Sequence, residues 1–536
     1  MYLAQTNING MTHYYIRESY RDGDHFLSRD LIDRGTDPAE HLIYFVFSIL
    51  ILIIITSGCA SRVSYQFVNE ALRPSEYRRF FDELDSAVYR SGTRNGAYFE
   101  VPGFPYLRAD RFLVSLKDRL KNDAQKDQWV RLMQQLDIEA RKTEIQTLPA
   151  TEVGKLAAVF GHLPDRRILQ AKAISYSDKM LAHDQLRPDF YEVLLVTVQD
   201  SDEYSTLMRI FGLYPIASIP VAIVTHRVYD EIAEWHRLPS DELQPLGTLT
   251  AFGPAETLEF SGKTVQEILE RSRQNPLAIP LPSVVDQKTL SAIFAPVIIQ
   301  DLAADYDKPG AMVWGNKRLE IDPDNPQAYY YFTHAYFEKE PVLQINYVIW
   351  YSARGGSNSP RIERGHIDGL TVRVSLADSG RPFMVDIMNN CGCYHFFVPR
   401  KEKVQQIRRS PLAIDAFVPT WLPDDFPQKR ITIRVISGWH QVANIDARRM
   451  PLDFIPYHLV PYHRLEMLQK NDAHHESMFT SRGIGKFTER IESDIFIPMG
   501  VPQVGSMRQR GHHAIKFVGR AHFDDPHLFD NHFEFK

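Results

Sequence analysis

Behind Ser75, a residue suited to a helix N-cap, apolar side chains recur at Tyr77, Phe80, Phe81, Leu84 and Val88, the i, i+3, i+4, i+7 and i+11 spacing of one helical face. Asp110 opens a second stripe through Phe112, Leu113, Leu116 and Leu120. Trp129, Val130, Met133 and Leu136 make a third. The segment VPGFPYLRADRF, residues 101–112, is a Pro-rich connection between the first two. These stripes are the core faces of a helical domain over residues 74–237. One stretch inside it differs: IFGLYPIASIPVAIV, residues 210–224, is nearly all apolar, yet Pro215 and Pro220 should kink or stop a helix. Burial under the helical domain is the expected fate of this stretch, and contact with a membrane surface is the alternative.

Residues 238–290 are rich in proline and read as a connection holding one short helix near Thr264–Gln274. Beyond them the hydrophobic period changes to two. VLQINYVIWYSA (342–353) puts Leu343, Ile345, Tyr347, Ile349 and Tyr351 on one face, and RITIRVIS (430–437) alternates Arg430, Thr432 and Arg434 with Ile431, Ile433 and Val435. Residues 291–536 therefore form a β-rich, mainly antiparallel domain with a His-rich tail. Helices come first and strands later, so the fold class is α+β rather than a parallel α/β sheet.

The stretch GHIDGLTVRVSLADSGRPFMVDIMNNCGCYHFF predicts one long hairpin, with turn chemistry in Ala377-Asp378-Ser379-Gly380. A two-residue loop at Asp378-Ser379 sets His366 opposite Cys391 and Asp368 opposite Asn389. Residues two apart share a face of a strand, so Cys391, Cys393 and His395 should point the same way. With His366 across the ladder, two thiolates and two imidazoles would suit zinc, or copper as Cu(I). The same residues also fit a redox-active disulfide, or ordinary core in which cysteine acts as a small hydrophobe.

Twelve of the 20 histidines lie from His366 onward, which makes the tail a candidate cleft. There His512, His513, His522, Asp524 and Asp525 are of ligand type. Their spacing matches no zinc pattern, and HExxH, a complete P-loop, GxSxG and CxxCH are all absent.

Composition bounds the rest. The chain has 536 residues, 44% hydrophobic and 24% charged, which is globular and long enough for two or three domains. A net charge of −6 without a long basic run sets nucleic-acid partners aside. Three cysteines exclude a disulfide-built scaffold.

The run from Leu42 to Ile55 is apolar apart from Tyr44 and Ser48, and it is short for a bilayer span of about 20 residues. It has the length of a signal-peptide h-region, and Thr56-Ser57-Gly58-Cys59 resembles the lipobox of bacterial lipoproteins, departing from it only in Thr56 for the usual leucine. That resemblance implies cleavage before Cys59 and diacylation of its thiol, so that residues 42–58 are the signal h-region and cleavage site and 59–73 a lipidated linker. Ala60 after the cysteine implies transfer to the outer membrane, with the protein lipid-anchored at the periplasmic face. An uncleaved helix in the inner membrane is the alternative.

A signal n-region should be short and basic, whereas residues 1–41 carry more acid than base. They are read as a leader foreign to the signal, with translation starting further downstream. No Met lies between Met11 and Cys59, so that start would use a non-Met codon. The blocks GHIDGL, CGCYH and GHHA-x-x-FVGR-x-HFDDP are similar to those of a family of uncharacterised proteobacterial lipoproteins. The expected function is thus a binding or structural role in the envelope, with the membrane as partner through the lipid. The alternative is a metal-dependent hydrolase or redox enzyme using the Cys/His-rich site.

Overall fold

The computed structural model describes residues 2–8, 11–22, 25–33, 75–239, 242–409, 413–471 and 474–536. The expectations for Leu42–Gly58 and for Cys59 lie outside the described residues. The chain divides into two units, Met1–Leu72 and Arg73–Lys536. In the first, β1 (Tyr2–Ile8), β2 (Met11–Asp22) and β3 (His25–Asp33) pair as an antiparallel sheet in the order β1-β2-β3.

The second unit begins with the predicted helices. In α1 (Ser75–Ser91) the predicted stripe is the buried one, with Phe80, Phe81, Leu84 and Val88 in the core. Asp110 caps α2 (Arg111–Ser115) by accepting from Leu113 N at 2.7 Å. That helix is shorter than its stripe, because the chain passes into a 3-10 turn at Lys117–Arg119. The long α3 (Asp123–Thr147) starts behind Asn122, which accepts from Gln125 N at 3.0 Å. Trp129, Val130 and Met133 are fully buried along it. Asn122→Ala should cost about 1 kcal/mol, read as a lowered urea midpoint with unchanged slope; an unchanged midpoint would mean that water caps the helix equally well.

Helices α4 (Ala150–Val159), α5 (Arg166–Asp184) and α6 (Phe190–Thr197) close this core. After them, α7 (Thr206–Phe211) leads into α8 (Tyr214–Arg237). Here two expectations fail. Pro215 sits in the first turn of α8, where its missing N–H costs nothing, and the helix runs on past Pro220. Nor is the stretch buried: Ile216, Ile219, Ile223 and Val224 are 68%, 59%, 51% and 57% exposed, one apolar stripe at helical spacing that no described element covers. Among the described residues, no helix is long and apolar enough to cross a membrane.

The stretch read as a Pro-rich connection builds part of the sheet and one of its cover layers. It supplies β4 (Thr248–Pro254), then α9 (Gly262–Ser272) and α10 (Val284–Phe294), capped by Ser261 and Ser283. β5 (Val297–Leu302), β6 (Gln327–Phe337), β7 (Glu340–Arg354), β8 (Gly365–Leu376), β9 (Pro382–Asn389), β10 (Phe396–Pro399), β11 (Arg430–Val435), β12 (Val442–Arg448) and β13 (Ile455–Pro461) complete a ten-stranded mixed sheet. Its order is β10-β9-β8-β7-β6-β13-β4-β5-β11-β12. The junctions β6·β13, β13·β4 and β5·β11 are parallel and the other six antiparallel, so the α+β expectation holds.

The two faces of this sheet differ in chemistry. Leu343, Ile345, Tyr347, Ile349 and Tyr351 are buried on one face, as their period predicts, against Val265, Ile268 and Leu269 of α9 and Leu290, Ile293 and Phe294 of α10. The opposite face carries a polar row across four strands: Tyr331 pairs with Asn346, Asn346 with Arg373, and Arg373 with Asp386. Thr333, Gln344 and Ser375 form the next row. That polar face looks toward the helical region.

Candidate functional site

Between α3 and the polar face lies a cavity of about 830 Å³, within the range of small-molecule sites. One stripe of α3 roofs it, with Gln128, Leu132, Gln135, Leu136, Glu139 and Lys142 at helical spacing. Tyr331, Thr333, Asn346 and Arg373 border it from the strands. Asp110, Arg111 and Phe112 approach from α2, and Glu466, Arg510 and Asp524 come from the C-terminal part of the chain.

The arginines of the cavity are already paired, while Lys142 and Lys288 also border it. Arg111 reaches Asp200 at 2.8 Å and Asp524 at 3.2 Å. Arg510 holds Glu466 at 3.0 and 3.2 Å, and Arg373 donates through Nε to Asp386 at 2.9 Å while lying 3.6 Å from the Phe523 ring centre. The acceptors are not all satisfied. Asn346 donates to Thr333 Oγ1 at 3.0 Å, but its Oδ1 is buried with no partner among the described residues, and Asp524 Oδ1 is in the same state. Burial pushes the Asp110 carboxyl up to about 6, with the Asp524 charge adding to that, although Asp110 also accepts the Leu113 amide. Aromatic rings, ion-paired arginines and the amides of Gln128, Gln135 and Asn346 make a wall that suits a ligand combining C–H faces with hydrogen-bonding groups. An unpaired buried acceptor costs about 1–3 kcal/mol until something donates to it.

The expected four-residue metal cluster does not assemble. The β8–β9 ladder runs Leu370↔Asn389 and Thr371↔Met388, two residues away from the expected pairing. The cause is the loop, which is longer than Asp378-Ser379: Ala377 N donates to Arg381 O, and Gly380 turns the chain at φ +73°. His366 instead pairs with Ala353 on β7, with its Nε2 2.6 Å from Leu319 O. Residues 390–395 are a turn rather than a strand, with Gly392 at φ +92° and Tyr394 at φ +56°, so their side chains do not alternate. Cys391 and Cys393 remain together as free thiols, while His395 turns to Asp386 at 2.9 Å. Among the described residues no group of three or more His, Cys, Asp and Glu is arranged to hold a metal ion.

The expected cleft in the tail is likewise dispersed. Only Asp524 borders the cavity. His512 sits between Glu203 Oε1 at 2.9 Å and Gly96 O at 2.6 Å, and His522 lies 3.3 Å from Asp202. His513 is buried, which pushes its pKa down to about 3. Asp525 accepts from His527 N and Asn531, a turn cap and nothing more.

Beside the two thiols stands a buried charge network that the sequence reading missed. Arg354 holds Asp368 with two bonds of 3.0 Å and Glu363 with one of 2.7 Å. His440 lies between Asp368 Oδ2 at 2.8 Å and Asp307 Oδ1 at 3.2 Å, and Arg490 Nη2 reaches Asp368 at 3.4 Å. Burial alone would lower the His440 pKa, but hydrogen bonds to Asp307 and Asp368 outweigh it and raise the value. Arg354 likewise outweighs burial at Asp368 and holds that carboxyl well below its usual range. Arg354, Arg490 and His440 against Asp307, Glu363 and Asp368 make three charges of each sign. Ile367, Tyr394 and His440 all adopt positive φ here, a concentration of backbone strain of the kind that functional sites store.

Comparison with protein-family models, with curated proteins and with solved structures finds no match to this chain.

Proposed function

We propose that the protein is a membrane-tethered binding protein of the cell envelope whose cavity takes a neutral, hydroxyl-rich small molecule of the saccharide class. The observation that carries this reading is a cavity of about 830 Å³ bordered by Tyr98, Tyr331 and Phe112 together with the amides of Gln128, Gln135 and Asn346, with its arginines already neutralised. A polyol hydrogen-bonds the amides and lays its C–H faces on the three rings. Lipid on Cys59 would hold the chain at the membrane, because acyl chains add about 0.8 kcal/mol per buried CH₂. The exposed stripe Ile216, Ile219, Ile223 and Val224 is the kind of surface that a tethered protein lays against a bilayer.

Titration calorimetry with cellobiose, maltose and N,N′-diacetylchitobiose tests the binding. At least one should bind with heat, and Asn346→Leu should weaken it roughly tenfold or more, with circular dichroism reporting whether the variant folds. Absence of heat from all three at millimolar concentration removes the saccharide reading. Cys59→Ala tests the tether separately: it should abolish acylation, seen by intact mass, and release the chain from membranes.

A further inference from the structure

We propose that Cys391 and Cys393 form a thiol–disulfide exchange pair, with Cys393 the entry thiol, Cys391 the resolving thiol and an exogenous disulfide as co-reactant. This site is separate from the cavity and does not depend on the saccharide reading.

The turn places both cysteines against one buried cluster, with Asn389 N donating to Cys393 O at 3.0 Å across it. Gly392 makes this possible: at φ +92° a Cβ would lie 2.4 Å from Ala514 O, so no side chain fits between the cysteines. Cys391 is buried and Cys393 half-buried, so an incoming disulfide meets Cys393 first. Three guanidiniums flank the pair. Arg354 and Arg490 belong to the balanced network of three cations and three carboxylates, but Arg508 does not. It is 2% exposed, its Nε has no hydrogen-bond partner among the described residues, and its Nη2 donates only to the Pro502 and Gln503 carbonyls. Glu203 is the carboxylate that acts most strongly on it, and a thiolate at Cys391 adds a second negative charge. The neighbouring Cys393 thiol and the nearby guanidiniums hold the Cys391 thiol below its usual pKa, and the same neighbour relation pushes Cys393 up. Glu492 completes the site: 3% exposed, it sits where the Cys391 charge acts on it, and its Oε1 has no partner among the described residues.

The exchange balances as two displacements. As the Cys393 sulfur attacks one sulfur of the external disulfide, its proton passes to Cys391, the external S–S bond breaks, and one thiolate leaves. Cys391 then attacks the Cys393 sulfur, and its proton is taken up by the second thiolate as it leaves. The mixed disulfide breaks and an intramolecular disulfide remains. Two electrons have gone to the external disulfide. Starting from a Cys391 thiolate and a Cys393 thiol, the pair loses one proton, so one released group ends as a thiol and the other as a thiolate that solvent protonates.

Full-length protein equilibrated with reduced and oxidised glutathione, alkylated under denaturing conditions and read by mass at the peptide holding residues 391–393, tests this. Both thiols should disappear together, with a midpoint set by the glutathione ratio. Cys391→Ser should trap a glutathione adduct on Cys393, and Cys393→Ser should be modified roughly tenfold more slowly, because its remaining thiol is buried. Arg508→Met should move the pH dependence of oxidation upward by about one unit if Arg508 neutralises the thiolate; its circular dichroism reports whether it folds. Thiols that stay reduced in excess glutathione disulfide, or a stoichiometric metal on the pair that survives it, would overturn the proposal. So would equal rates in the two serine variants.

Discussion

Asp368→Asn is expected to lower the stability of the chain by about 3–5 kcal/mol, the usual cost of breaking a fully buried ion pair from one side. The residue is 0% exposed, and its carboxylate accepts two bonds from Arg354 and one from His440, with Arg490 at 3.4 Å. The amide keeps the shape and loses the charge, so two guanidiniums and an imidazolium face only Glu363 and Asp307. The desolvation of those cations is no longer offset. Urea unfolding at pH 7 measures the loss. Arg354→Met combined with Asp368→Leu should recover part of it, since removing both partners leaves less uncompensated charge. A single variant within 1 kcal/mol of the parent would show that water or a rearranged Glu363 does the work assigned to Asp368.

Glu492→Gln is expected to flatten the dependence of stability on pH and to leave the variant the more stable form, relative to its own acid limit, above pH 8. Burial, reinforced by the Cys391 charge, pushes the Glu492 carboxyl up to about 8 from its ordinary 4.5. Between those values the folded chain keeps a proton that the unfolded chain has released. The folded state then binds more protons, so stability falls as pH rises, by at most about 1.4 kcal/mol per pH unit from this one group. The contribution is whole below pH 4.5 and lost by the time pH passes 8. Gln has no proton to lose and removes the slope. His440 runs in the same direction over a higher window, because its folded pKa also lies above its ordinary value. Both arms are read from urea midpoints between pH 5 and 9. Parallel profiles for parent and variant would place Glu492 in contact with water and remove it from the thiol site.

Much of the candidate site had a trace in the sequence that period-two reasoning passed over. Gln344 and Asn346 are polar residues in the otherwise apolar strand VLQINYVIW, and Arg373 interrupts TVRVSL in the same way. A strand with one face in the core and polar residues on the other, when fully buried, must put those residues against something polar. Here Asn346 and Arg373 border the cavity. The histidines drew attention by number, yet three of the expected ones are satisfied elsewhere, by a backbone carbonyl at His366 and His512 and by a carboxylate at His395. Asp307, Glu363 and His440, by contrast, are ordinary residues in ordinary stretches, and only the fold makes them a network.

What the sequence by itself determined was local. The helical stripe of Phe80, Phe81, Leu84 and Val88, the helix start at Asp110, and the alternation in β7 and β11 follow from hydrophobic period and capping chemistry within a few residues. The order of helices before strands, and so the α+β class, follows from the same signals. The tertiary structure decided everything that depends on separation along the chain. The β8–β9 ladder ends at Leu370↔Asn389 and residues 390–395 turn, so His366 and Cys391 never become cross-strand partners. One helix stripe that no described element covers left Ile216, Ile219, Ile223 and Val224 exposed, although the composition of this stretch matches that of a buried helix. The cavity and the charge network join residues from Asp110 to Asp524 and from Asp307 to Arg490. Ion pairing and ligand binding act through distances of a few ångströms, and only folding brings such residues that close.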